Sequence, residues 1–179
     1  MTAGLGSPHR VERERDGHSR GRIARRVGAT VSHRFGEEAV VTGTVTDQVA
    51  RMKDLYEAFG RGDIPTVLAA MDEGVEWYEA EGNPWSPGRP FIGPQQVVEG
   101  VFQRLGAEFD GFEVRPTRFM GDGDTVIMEG RYRAESNKAT GKPLDAEVVH
   151  IWDLSNGKIV RFHQYVDTRQ MADVLGDRG

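Results

Sequence analysis

Apolar positions along this chain follow a period of two most clearly from Glu147 to Thr168, EVVHIWDLSNGKIVRFHQYVDT. Val148, Val149, Ile151, Trp152 and Leu154 form one apolar arm, and Ile159, Val160, Phe162, Tyr165 and Val166 the other. Asn156-Gly157 between them supplies the positive φ of a tight turn, so the pattern predicts a long β-hairpin. Alternation places His150, Trp152 and Leu154 on one face. Upstream the period is helical. Val49, Met52, Tyr56 and Phe59 define a first helix, with Thr46 or Asp47 to cap it and Gly60 near its end. Asp63 and Pro65 start a second, with Val67, Leu68 and Met71 as its stripe and Gly74 as its stop. Val75 to Ala80 reads as a strand in which Val75, Trp77 and Glu79 share a face.

The stretch EGNPWSPGRPFIG, rich in proline and glycine, predicts a stiff loop that leaves Trp85 and Phe91 free to cover something. A loop of that length in a compact domain is more often functional than accidental. Pro94 then opens a helix with a broad stripe of Val97, Val98, Val101, Phe102 and Leu105. Strand patterns over Phe112 to Met120 and Thr125 to Glu135 lead into the hairpin, and Met171, Val174 and Leu175 suggest a last helix. The order of elements predicts an α+β fold with a curved antiparallel sheet around helices.

Residues 1–45 break this picture. They are rich in Arg, Gly, Ser and His, their few apolar residues keep no period, and they read as a disordered leader ahead of one domain over 46–176. An over-long reading frame with a natural start near Val45 is one explanation. Eight arginines against Glu12, Glu14, Asp16, Glu37 and Glu38 give residues 1–46 a net +3, leaving −8 on the remainder of a chain of net charge −5. That balance argues against nucleic-acid and anionic-membrane partners. No apolar run approaches the roughly 18 residues that span a bilayer. The absence of cysteine removes disulfide and thiolate chemistry and is compatible with a cytoplasmic protein. His150 and His163 lack ligand spacing, so no metal is expected, and no other cofactor is expected either.

Three stretches, LYEAFGRGDIPTVLAAMDEGVEWYE, FIGPQQVVEGVF and VVHIWDLSNGKIVRFHQYVDT, resemble the SnoaL-like branch of the NTF2-like superfamily over about Val45 to Leu175. The resemblance implies a cone-shaped α+β barrel, a deep apolar pocket at its open end and a homodimer formed through the sheet. It leaves chemistry open, because the superfamily holds isomerases, cyclases, epoxide hydrolases and non-catalytic binding modules. Compared with ketosteroid isomerases, Glu79 falls at the catalytic base and His150 near the oxyanion-stabilising acid, while Tyr56 is offset by one from the tyrosine site. Compared with limonene epoxide hydrolases, Arg131 and Asp167 fit, but Arg133 replaces the middle acid. Compared with SnoaL-type cyclases, either His150 or Asp167 could serve as acid/base.

Glu79, His150 and Asp167 are therefore the candidate catalytic residues, and Tyr56, Trp77, Trp85, Arg131, Trp152, Phe162 and His163 the candidate pocket lining. Arg131 and Arg133 read equally as an outward ladder paired with Glu129, Glu135 or Glu147. The expected ligand is a small hydrophobic carbonyl-type compound, either turned over by acid/base chemistry or only bound. Convergence of Glu79, His150 and Asp167 on one cavity discriminates the two.

Overall fold

The structure, a computed structural model, describes residues 44–176. Expectations for the leader therefore concern residues outside this range, apart from Thr44 and Val45, where the first helix begins. Thr44 caps α1 (Val45–Gly60): its hydroxyl accepts the Asp47 amide at 3.2 Å, and the Asp47 carboxylate accepts the Thr44 amide at 3.0 Å. The cap thus lies upstream of Thr46, with Asp47 as the reciprocal acid of a capping box. Asp63 caps α2 (Ile64–Ala69) through the Thr66 amide at 3.2 Å.

That second helix is shorter than its apolar stripe predicts, because strand β1 (Met71–Tyr78) already starts at Met71. Gly74 sits inside the strand: its amide donates to Asp72 Oδ1 at 2.8 Å, and the register against the neighbouring strand shifts between Met71 and Glu76. A glycine that read as a helix stop is the irregular point of a strand. After the loop come β2 (Phe91–Ile92), α3 (Gly93–Val97), a π-helical turn (Val98–Phe102) and α4 (Gln103–Glu108). Next are β3 (Phe109–Asp110), β4 (Glu113–Asp122), β5 (Thr125–Ala134), β6 (Ser136–Asn137), β7 (Leu144–Ser155), β8 (Lys158–Val166) and α5 (Thr168–Leu175).

The main sheet runs β2-β1-β8-β7-β5-β4, and β3 pairs with β6 separately. All its pairs are antiparallel except β1 with β8, which run parallel. The sheet is not closed into a barrel: β2 and β4 are its edges, and α1 packs on β4 while α3 packs on β1. Apolar helix stripes, rather than backbone hydrogen bonds, cover what a barrel seam would close. At the hairpin turn Asn156 has φ 48° and Gly157 φ 72°, the pair of positive values that a two-residue turn requires. Strict alternation along β7 buries Leu144, Ala146, Val148, His150, Trp152 and Leu154 on the helix-covered face. Among the described residues no helix is long and apolar enough to cross a membrane.

Candidate functional site

Helices and inner sheet face do not meet completely. Between them lies a cavity with about 650 Å³ of unfilled space, part of it open to solvent, walled mainly by aromatic and aliphatic side chains. Its helical wall comes from Leu55, Tyr56 and Phe59 of α1 and from Val101, Phe102 and Leu105. The π-helical turn shifts the phase of its helix by one residue, which turns Val101 and Phe102 both inward. Gly100 allows this: a Cβ there would sit 2.3 Å from Phe91 Cε1, so Phe91 packs directly against the turn.

Glu79 lies one residue beyond β1 and keeps its alternation, so it is buried beside Val75 and Trp77. Its Oε1 accepts Trp77 Nε1–H at 2.7 Å, and its Oε2 accepts Asn83 Nδ2–H at 3.0 Å. Among the described residues no salt bridge reaches it. Burial pushes the carboxyl above the ordinary carboxylate value, and the hydrogen bonds from Trp77, Gln164 and Asn83 and the Arg104 guanidinium recover only part of that shift. Arg104 itself lies over the Trp85 ring, 4.6 Å from its centre, and pairs with Glu108.

A buried polar chain also lines the cavity. His150 Nδ1 is 2.5 Å from Tyr56 Oη and its Nε2 is 2.6 Å from Tyr132 Oη. Trp152 Nε1–H donates to Tyr56 Oη at 2.9 Å, and Gln164 Nε2–H to Tyr132 Oη at 2.9 Å. Gln164 Oε1 in turn accepts Asn83 Nδ2–H at 3.0 Å, which joins this chain to Glu79. Burial holds His150 neutral by lowering its pKa to about 3, and it pushes both tyrosines far above their usual range. A neutral imidazole with both nitrogens engaged has no free group for a ligand. Both ring nitrogens of His150 are taken up by Tyr56 and Tyr132, whose hydroxyl-bearing side chains line the same cavity.

Glu79, His150, Tyr56, Trp77, Trp85 and Trp152 all line the cavity, and Phe162 lies under it, fully buried, with its ring 3.7 Å from Trp77 and 4.9 Å from His150. Three expected residues lie elsewhere. Asp167 is exposed and caps α5 through the Gln170 amide at 3.0 Å, because β8 ends at Val166. Arg131 has the opposite parity to Tyr132 and points outward, where Asp145 and Glu147 pair with it. His163 faces outward too, stacked between Tyr78 and Tyr165. Conversely, Tyr132, Gln164 and Asn83 enter the site without having been singled out. An outward Arg131 and Arg133 already implied an inward Tyr132, and an inward Phe162 implied Gln164. Asn83, in an irregular loop, had no periodic signal. Among the described residues no group of three or more His, Cys, Asp or Glu side chains is placed to hold a metal ion.

A curved sheet, a helix-covered face and a carboxylate-bearing apolar cavity define the class, and sequence comparison agrees. The SnoaL-like domain model matches residues 52–162, and the chain belongs to that family. It is 34% identical to an NTF2-like protein from Burkholderia thailandensis, covering 72% of this chain and 96% of that one with a TM-score of 0.67. TerC, co-crystallised with polyporic acid, shares the fold at 22% identity, covering 72% and 98% with a TM-score of 0.63. A SnoaL-like polyketide-cyclase candidate from a Jannaschia species does so at 16%, covering 76% and 96% with a TM-score of 0.64. A search of curated protein sequences returns no match.

Proposed function

We propose that the cavity performs acid/base chemistry on a small hydrophobic carbonyl compound, with Glu79 as the general base. The observation that carries this reading is a buried carboxylate facing an apolar cavity with no salt-bridge partner among the described residues. Burial without ion pairing raises a carboxyl pKa towards the range where a base is effective near neutral pH. Trp77 and Asn83 hold both oxygens while leaving each with acceptor capacity for a proton. Abstraction of a proton beside a carbonyl builds negative charge on the carbonyl oxygen, and a hydroxyl of Tyr56 or Tyr132 would stabilise it. His150 fixes those hydroxyls as a positioning residue. Aromatic walls suit a ring-bearing ligand, and the use of this fold by TerC with polyporic acid is compatible with that.

The test is deuterium incorporation next to the carbonyl of β-tetralone in heavy water. Wild type should accelerate exchange, and Glu79→Gln should lower the rate by on the order of 10² to 10⁴. Tryptophan fluorescence should show ligand affinity within a few-fold of wild type. Binding of the ketone without accelerated exchange would instead favour a binding module.

A further inference from the structure

We infer that Tyr56, His150 and Tyr132 form a tautomer-selected donor, which offers a single hydroxyl proton to a ligand oxygen at either of two points on the cavity wall. The inference rests on a count of protons. Both ends of the chain are fixed by groups whose orientation is settled. Trp152 Nε1 is a donor only, and it gives its proton to Tyr56 Oη. At the other end, Asn83 Oδ1 accepts the Trp85 backbone amide at 3.1 Å, so its Nδ2 must face Glu79 and Gln164. Gln164 Oε1 accepts from Asn83 and from the Ala80 backbone amide at 3.3 Å, so its Nε2 must donate to Tyr132 Oη.

Each tyrosine oxygen therefore already accepts one proton from outside the triad. A neutral imidazole between them has one N–H and one lone pair. With the proton on Nε2, Tyr56 donates to Nδ1 and Nε2–H donates to Tyr132, whose own hydroxyl proton then has no acceptor among the described residues. With the proton on Nδ1 the surplus moves to Tyr56. Neither tautomer uses both hydroxyl protons, and both tyrosines line the cavity. Buried donors are normally paired, so the surplus hydroxyl calls for an oxygen with a free lone pair, which a ligand carbonyl or enolate supplies. A ligand oxygen beside Tyr132 selects the Nε2–H tautomer, and one beside Tyr56 selects the other. In naming the ligand class this rests on the proposed carbonyl chemistry, whereas the count does not.

The test uses the full chain labelled with ¹⁵N-histidine, without ligand. The His150 signals, assigned by their loss in His150→Gln, should show a neutral ring near pH 7 with both nitrogens shifted between the protonated and bare limits. Tyr132→Phe removes the acceptor at Nε2 and leaves the Tyr56 hydroxyl donating to Nδ1, so the Nε2–H tautomer should dominate. Tyr56→Phe should drive the ring to the Nδ1–H tautomer. Opposite movements support the inference; the same tautomer in both variants, or an imidazolium near pH 7, overturns it. If a variant does not fold, wild type decides, since a ring held in one tautomer contradicts a selectable donor. The readout is independent of Glu79, so opposite tautomer shifts together with failed ketone exchange would sink the base assignment and leave this inference standing.

Discussion

Acid sensitivity should be written into His150. Its pKa is about 3 in the folded protein against an ordinary 6.5, with burial as the cause. Between those values the unfolded chain binds a proton that the folded protein refuses, so stability rises with pH and falls on acidification. The one-proton slope makes the loss about 2 kcal/mol at pH 5 and about 4 kcal/mol at pH 3, relative to neutral pH. That is a large part of the roughly 5 to 15 kcal/mol that holds a domain together. His150→Gln removes the titrating group. It should impose a constant cost of about 1 to 3 kcal/mol by leaving tyrosine hydroxyls unpaired, and cancel the pH-dependent loss. Glu79 acts with the opposite sign. Its folded pKa is raised, so its contribution is present below the unfolded value and is lost as pH rises through the folded one. Since both chains carry Glu79, that effect drops out of the difference. Urea unfolding followed by tryptophan fluorescence at pH 7.5 and pH 5 is the assay. Wild type should lose about 2 kcal/mol more than His150→Gln on that step. Parallel losses in the two chains would refute a buried, neutral His150.

Three further outcomes follow from packing. Stacked Tyr78, His163 and Tyr165 on the outer sheet face, with Tyr165 half exposed, favour a homodimer through that face, so sedimentation at micromolar concentration should give twice the chain mass. A monomer would leave this face without its expected cover. Gly100→Ala brings a Cβ to 2.3 Å from Phe91, and should cost about 1 to 3 kcal/mol in urea unfolding; an unchanged midpoint would show that the turn is loosely packed. Trp85→Phe keeps a ring under Arg104 and deletes a buried N–H that has no partner among the described residues. It should leave stability within about 1 kcal/mol of wild type, and a larger loss would mean that the indole N–H is engaged in solution.

Parity carried most of what was legible in the sequence. Val75, Trp77 and Glu79 share a buried face as their spacing predicts, and so do His150, Trp152 and Leu154. The Asn156-Gly157 turn and the Asp63 cap were equally readable, because their chemistry is local. Arg131, His163 and Asp167 were drawn towards the site by the chemistry of their side chains, against alternation for the first two and against the end of β8 for the third. Tyr132 and Gln164 were legible by the same parity but had no conspicuous chemistry. The π-helical turn and the open sheet depend on contacts between distant segments, Gly100 with Phe91 and α1 with β4, and no local period encodes them.

The pH dependence of ketone exchange tests the central claim most directly. If Glu79 is the base, the β-tetralone exchange rate in wild type should rise with pH through one inflection above the ordinary carboxylate value of 4.5, in the direction that burial moves this group. Glu79→Gln should abolish the inflection. An inflection that survives in Glu79→Gln, or a wild-type rate no faster than buffer at every pH, would contradict the account.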